Sequence, residues 1–117
     1  MRTIVCGGRD YANREHVYAV LDRWKQECDY GALVIIQGGA TGADALARDW
    51  CASRKVEYAN VPADWKAHGK AAGPMRNAKM ISDYDPKCVI AFPGGRGTAD
   101  MVMKAQDAKL FVRVAIP

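Results

Sequence analysis

Five short apolar runs, at Thr3–Cys6, Leu33–Gln37, Val56–Val61, Cys88–Phe92 and Leu110–Val114, alternate along the chain with segments whose apolar residues recur at helical spacing. Each run is short enough for a buried strand, and glycine or proline marks the boundaries. A strand followed by a helix and then by another strand returns to its sheet as a parallel neighbour, through a right-handed crossover. The alternation therefore predicts an α/β protein with a parallel sheet of about five strands and helices on both faces.

The helical segments supply the cover for that sheet. Val17, Val20, Leu21, Trp24 and Cys28 share one face of the first, with Asn13 as its N-cap. The second carries Ala43, Leu46, Ala47 and Trp50, and Thr41 with Asp44 three residues on reads as a variant of the capping box. A third is expected from about Pro74 to Ser82, since proline is tolerated in a first turn. The fourth has Met101, Val102, Ala105 and Ala108 and is opened by Thr98. Pro62 to Gly73 lacks strand character and is too polar for a core helix, so it reads as a functional loop carrying Asp64, Trp65, Lys66, His68 and Lys70. No repeat or linker divides the 117 residues, so the expectation is one Rossmann-like domain over 1–117. Area scaling gives such a domain about 6,300 Å² of exposed surface.

Composition narrows the function classes. Half of the residues are apolar and 26% are charged, the balance of an ordinary folded domain rather than a disordered chain. The longest uncharged apolar stretch, Leu33–Ile36, is far too short to cross a bilayer, and no export segment precedes Ile4 and Val5. A net charge of +4 permits an anionic partner. The charge is spread along the chain, however, instead of gathered in a stripe with interleaved aromatics, so nucleic acid is disfavoured. Cys6, Cys28, Cys51 and Cys88 form no Cys-x-x-Cys pair and have no histidine at zinc spacing, so no metal is expected. They read as reduced core cysteines of a cytoplasmic protein.

Three of the strands run straight into glycine clusters: Gly7-Gly8-Arg9-Asp10, Gly38-Gly39-Ala40-Thr41-Gly42-Ala43-Asp44 and Pro93-Gly94-Gly95-Arg96-Gly97-Thr98. The last two lead directly into helices. Glycine lets a backbone come close to a ligand, and the free N–H groups and dipole of a helix start favour an anion, so a phosphate fits both places. A single glycine cluster after a strand is most simply a tight turn; three at the same end of a parallel sheet converge on one crevice. Gly8, Arg9, Gly39, Thr41, Gly42, Gly94, Gly95, Arg96, Gly97 and Thr98 are the candidate contacts. Arg76, expected in the first turn of the third helix beside Asn77, offers a planar, permanently charged fork to phosphate, and Lys70, Lys66, Arg9 and Arg96 extend the basic rim. Trp65 is a candidate for stacking on a base, whereas His68 reads as a bystander. Gly38–Asp44 lacks the Gly-Lys-Ser/Thr ending of a P-loop, and Asp100 stands where a dinucleotide fingerprint has glycine. ATPase and nicotinamide dehydrogenase chemistry are disfavoured, and the residues call for no cofactor.

Pro93-Gly94-Gly95-Arg96-Gly97-Thr98 resembles the Pro-Gly-Gly-x-Gly-Thr signature of the SLOG superfamily, which includes the LOG-type nucleoside-monophosphate phosphoribohydrolases and the DprA/SMF DNA-processing proteins. Arg76-Asn77-Ala78-Lys79-Met80 is similar to the Arg-Lys-Ala-x-Met segment of the LOG enzymes. Gly8-Arg9-Asp10, Gly38–Asp44, Pro62-Ala63-Asp64-Trp65, Gly69–Asn77 and Ala91–Val102 resemble the small YspA-like branch more closely, in order and over nearly the whole chain. The resemblance implies a Rossmann-like sheet with a nucleotide-derived ligand at the glycine loops, and LOG relatives imply a homodimer. One departure stands out. The LOG signature continues to a catalytic glutamate three residues past its threonine; that position is Met101 here, with Asp100 one residue earlier. A one-residue shift turns a helical side chain by about 100°.

Two readings remain open on the sequence. In one, the chain binds or senses a nucleotide or nucleotide derivative without turnover. In the other it hydrolyses an N-glycosidic bond in a nucleotide, with Asp100 or Asp44 as the carboxylate that stabilises an oxocarbenium-like transition state or activates water. DNA binding in the manner of DprA is a distant third.

Overall fold

The structure, a computed structural model, describes residues 1–28 and 32–117. The elements follow in the order β1 (Arg2–Cys6), α1 (Arg14–Glu27), β2 (Val34–Gln37), α2 (Ala43–Arg54), β3 (Glu57–Asn60), α3 (Trp65–His68), a 3₁₀ turn over Gly69–Ala71, α4 (Ala72–Tyr84), β4 (Cys88–Ala91), α5 (Arg96–Asp107) and β5 (Phe111–Val114). The five strands form one parallel sheet in the order β3-β2-β1-β4-β5. The exposed surface, 6696 Å², is close to the expectation from chain length.

The alternation of side chains along a strand divides the core in two. Val5, Ile35 and Ile90 face α1 and α2, where Val17, Leu21, Trp24, Ala47 and Trp50 are buried. Ile4, Ile36 and Val89 face the opposite way and meet Met80 of α4 with Met101 and Ala105 of α5. Burial of each such large side chain contributes roughly 1.5–3 kcal/mol, so both faces need their helices. Asn13 caps α1 as its sequence suggests, its Oδ1 accepting from the His16 N–H at 3.1 Å.

Four expectations need correction. The runs taken as buried strands at both ends of the sheet are edge strands: Glu57, Tyr58 and Asn60 of β3 and Phe111 and Val114 of β5 are exposed, because each strand has one neighbour. Ala108 lies past the end of α5 and is exposed rather than core. Among the cysteines, Cys51 and Cys88 are buried, but Cys6 and Cys28 are only partly so, and none of the four is in a disulfide. Pro62–Gly73 is largely helical, since Asp64 Oδ1 accepts from the Ala67 N–H and caps α3, and the 3₁₀ turn leads into α4 two residues ahead of Pro74. No helix among the described residues is long and apolar enough to cross a membrane.

β1 is the central strand, with β2 on one side and β4 on the other, and chain order reverses between β1 and β4. A switch of this kind leaves a crevice beyond the carboxyl ends of the strands. The loops after β1, β2 and β4 are the three glycine clusters, so all three open toward that crevice.

Candidate functional site

The crevice is a cleft of about 780 Å³ at the carboxyl end of the sheet, within the range of small-molecule sites. Of the residues singled out from sequence, Gly8, Arg9, Asp44, Lys70, Arg76, Asn77, Gly95, Arg96, Gly97, Thr98 and Asp100 line it. Gly39, Thr41, Gly42 and Gly94 do not. Thr41 Oγ1 donates to the Arg9 carbonyl at 2.8 Å, and a Cβ on Gly42 would lie 2.1 Å from the Gly8 oxygen. Thr41 and Gly42 thus join the loop after β2 to the loop after β1. Lys66 and His68 are exposed and also lie off the cleft.

The start of α2 is closed by the protein itself. Asp44, 7% exposed, turns its Oδ2 back to accept from the N–H groups of Gly38 at 3.1 Å and Ala40 at 3.3 Å. The Gly39 N–H donates to Gln37 Oε1, and the Ala43 N–H to the Gly8 carbonyl. The expected capping box is therefore absent: Gly42 is the N-cap, without a side-chain bond, and Asp44 serves the loop before it. Burial lifts the Asp44 carboxyl above its ordinary range, although the Ala40 N–H, the Arg76 charge and the Gly38 N–H pull the other way.

The start of α5 is open. Gly95 is its N-cap and makes no side-chain bond, so Thr98 does not open the helix as expected but is its third residue. The first intrahelical bond runs from Ala99 N–H to the Gly95 carbonyl. A helix leaves the N–H groups before that bond without an intrahelical acceptor, here those of Gly95, Arg96, Gly97 and Thr98. A Cβ at Gly95 or Gly97 would meet nothing within 4 Å.

Arg76 lies in the second turn of α4, not the first, because that helix begins at Ala72. Its Nε donates to Asn77 Oδ1 at 3.0 Å, and its Nη1 to the carbonyls of Gly38 and Val61. No carboxylate of the described residues comes within salt-bridge distance of it. Burial draws its pKa below the ordinary value, against the pull of Asp44, yet a guanidinium stays charged. Asn77, nearly buried, is spent on structure: its Nδ2 donates to the Gly97 carbonyl at 3.1 Å and to Asp100 Oδ2 at 3.0 Å, tying α4 to α5.

Asp100 is also in a second turn. Its Oδ1 pairs with Lys104 Nζ at 2.5 Å, one helical turn on. Burial pushes the Asp100 carboxyl up, but the hydrogen bonds from Lys104 and Asn77, with the ammonium charge, outweigh it and hold the group below the usual carboxylate range. The ion pair leaves it a poor proton donor.

Sequence reasoning missed the floor of the cleft, formed in part by Cys6, Met80 and Met101. Cys6 ends β1, and Met80 follows Arg76 by one turn, so strand and helix spacing carried that signal. Burial, with the Asp44 charge, pushes the Cys6 thiol up to about 12, which keeps it protonated and unsuited to nucleophilic work.

The profile of the YspA, cpYpsA-related SLOG family (YAcAr) matches residues 1–68. The chain belongs to this SLOG family. Gene 61 protein of Mycobacterium phage D29 is 38% identical over 114 residues, spanning 92% of this chain and 90% of its own. Met101, where the resemblance to the LOG signature would put a glutamate, is 1% exposed in the core, and the neighbouring carboxylate of Asp100 is held by Lys104.

Proposed function

We propose that this SLOG protein binds a nucleotide or nucleotide derivative in the cleft, with the phosphate at the start of α5, and that it acts as a binding or sensing module. One observation carries the reading: the unengaged N–H groups from Gly95 to Thr98 open into the same cleft as Arg9, Lys70, Arg76 and Arg96. A phosphate satisfies the N–H groups, the helix dipole and the guanidinium of Arg76 together. Gly97 supports this assignment, because it is helical and crowded by nothing, so folding alone gives no reason for a glycine there.

Binding without turnover fits the two carboxylates better than hydrolysis. Asp100 is ion-paired, and Asp44 is turned into its own loop, so neither is placed as a free base or acid beside the α5 start. Calorimetric titration of AMP and adenosine tests the reading. The wild type is expected to bind AMP well above adenosine, and Arg76→Gln to lower AMP affinity about tenfold to a hundredfold while adenosine is unchanged. Equal losses for both ligands, or a complex with its phosphate away from Gly95–Thr98, overturn it. Release of free base during the titration, followed by chromatography, would return the hydrolase reading.

A further inference from the structure

Trp65 stands at the lip of the cleft, 47% exposed, on a helix of four residues. It belongs to neither core cluster. Its six-membered ring rests on α4, where a Cβ on Gly73 would lie 3.3 Å from Cη2. Arg9 lies over the indole, its guanidinium carbon 4.9 Å from the ring centroid.

The two side chains differ in freedom. Trp65 is seated on Gly73, and Asp64 caps its helix. Arg9 has a fixed backbone, since its carbonyl accepts from Thr41 and Gly42 packs against it, but its exposed side chain makes no ion pair among the described residues. A seated indole under a swinging guanidinium presents two planar groups to the cleft, and both stack on a flat heteroaromatic ring.

Resting on the phosphate reading above, we propose that Trp65 and Arg9 form the subsite for the heterocyclic base of the ligand, the base entering between indole and guanidinium. A stacked plane needs a contact gap of about 3.5–4.0 Å on each side. Arg9 must therefore withdraw from 4.9 Å to about 7–8 Å, which rotation of an exposed side chain supplies. The subsite selects a phosphorylated compound with an exposed base over a plain sugar phosphate.

The test is calorimetric titration of ribose 5-phosphate and of AMP, GMP, CMP and UMP into the wild type, Trp65→Ala and Trp65→Phe. At least one nucleotide is expected to bind the wild type about tenfold or more tighter than ribose 5-phosphate. Trp65→Ala removes that advantage and leaves ribose 5-phosphate affinity within about twofold, while Trp65→Phe, which keeps a flat ring, restores most of it. Equal weakening of ribose 5-phosphate and nucleotide by Trp65→Ala reduces Trp65 to a wall of the cleft and overturns the proposal. Ribose 5-phosphate binding as tightly as every nucleotide in the wild type overturns it while the phosphate reading stands. Absence of binding by all five ligands removes both.

Discussion

The starts of α2 and α5 look alike in sequence, each a glycine-rich loop between a strand and a helix, yet they have opposite roles. At α2 the loop N–H groups of Gly38 and Ala40 are taken by Asp44, and that of Gly39 by Gln37. The motif carries its own anion. At α5 no acceptor among the described residues reaches the corresponding groups, and the nearby carboxylate, Asp100, is drawn off by Lys104 and Asn77. A glycine-rich helix start is a binding site only when the chain does not fill it first. In the α2 loop Gly42 lets the backbone of Gly8 and Arg9 come close and Gly38 makes room for the side chains of Arg76 and Asp44, whereas Gly95 and Gly97 face open space.

The sharpest way to break this comparison is Gly42→Ala. Gly42 has φ +73°, and an added Cβ would overlap the Gly8 carbonyl oxygen and the Arg9 backbone. Main-chain atoms cannot rotate aside as a side-chain tip does, so the variant is expected to lose about 3 kcal/mol or more of stability. Chemical denaturation measures it. A variant with wild-type stability and no AMP binding would instead make the α2 start a ligand contact.

Asp44→Ala comes next. It leaves the Gly38 and Ala40 N–H groups without their acceptor, at a cost of about 2–3 kcal/mol, whereas Asp44→Asn keeps an oxygen there. The isosteric change also reads the pH dependence. Burial raises the folded pKa of Asp44, so as pH climbs past the unfolded value of about 3.9 the unfolded chain ionises first. Stability contributed by the protonated group is fully present below that value and is lost as pH rises through the folded pKa. Urea melts across this window should slope downward for the wild type and flatten for Asp44→Asn. A slope unchanged by the substitution would remove Asp44 as its source.

How much of this was legible follows from what each residue depends on. The periods of the apolar runs located all five strands, because alternation and run length are local properties. Exposure of β3 and β5 was not local: it depends on strand order, which places both at the edges. The short α3 and the 3₁₀ turn are almost wholly exposed and bury no repeating face, so Pro62–Gly73 gave no helical period to read. The Asp100–Lys104 pair was available in principle, since a carboxylate and a lysine four residues apart on a helix meet. The self-filling of the α2 loop was not, because it rests on how Gly38–Gly42 turns rather than on which residues it contains.

The smallest effect is expected from Gly97→Ala, and it separates the two helix starts most directly. Gly97 is the second residue of α5, and beyond its chain neighbours and its own helix backbone its added methyl meets nothing within 4 Å. Alanine is a better helix former than glycine by up to about 1 kcal/mol, so the melting temperature should hold or rise by about 3–5 °C. The same methyl would occupy space beside the N–H groups of Arg96 to Thr98 and keep a phosphate from closing on them. AMP affinity should fall about tenfold, the low end of what one hydrogen bond to a charged group contributes, about 1.5 kcal/mol, with adenosine unaffected. The opposite signs are the point: at α2 a methyl breaks the fold, and at α5 it is tolerated by the fold and rejected by the ligand. Wild-type AMP affinity in a stable Gly97→Ala protein would show that the phosphate does not approach this turn, and the open N–H groups would then need another partner.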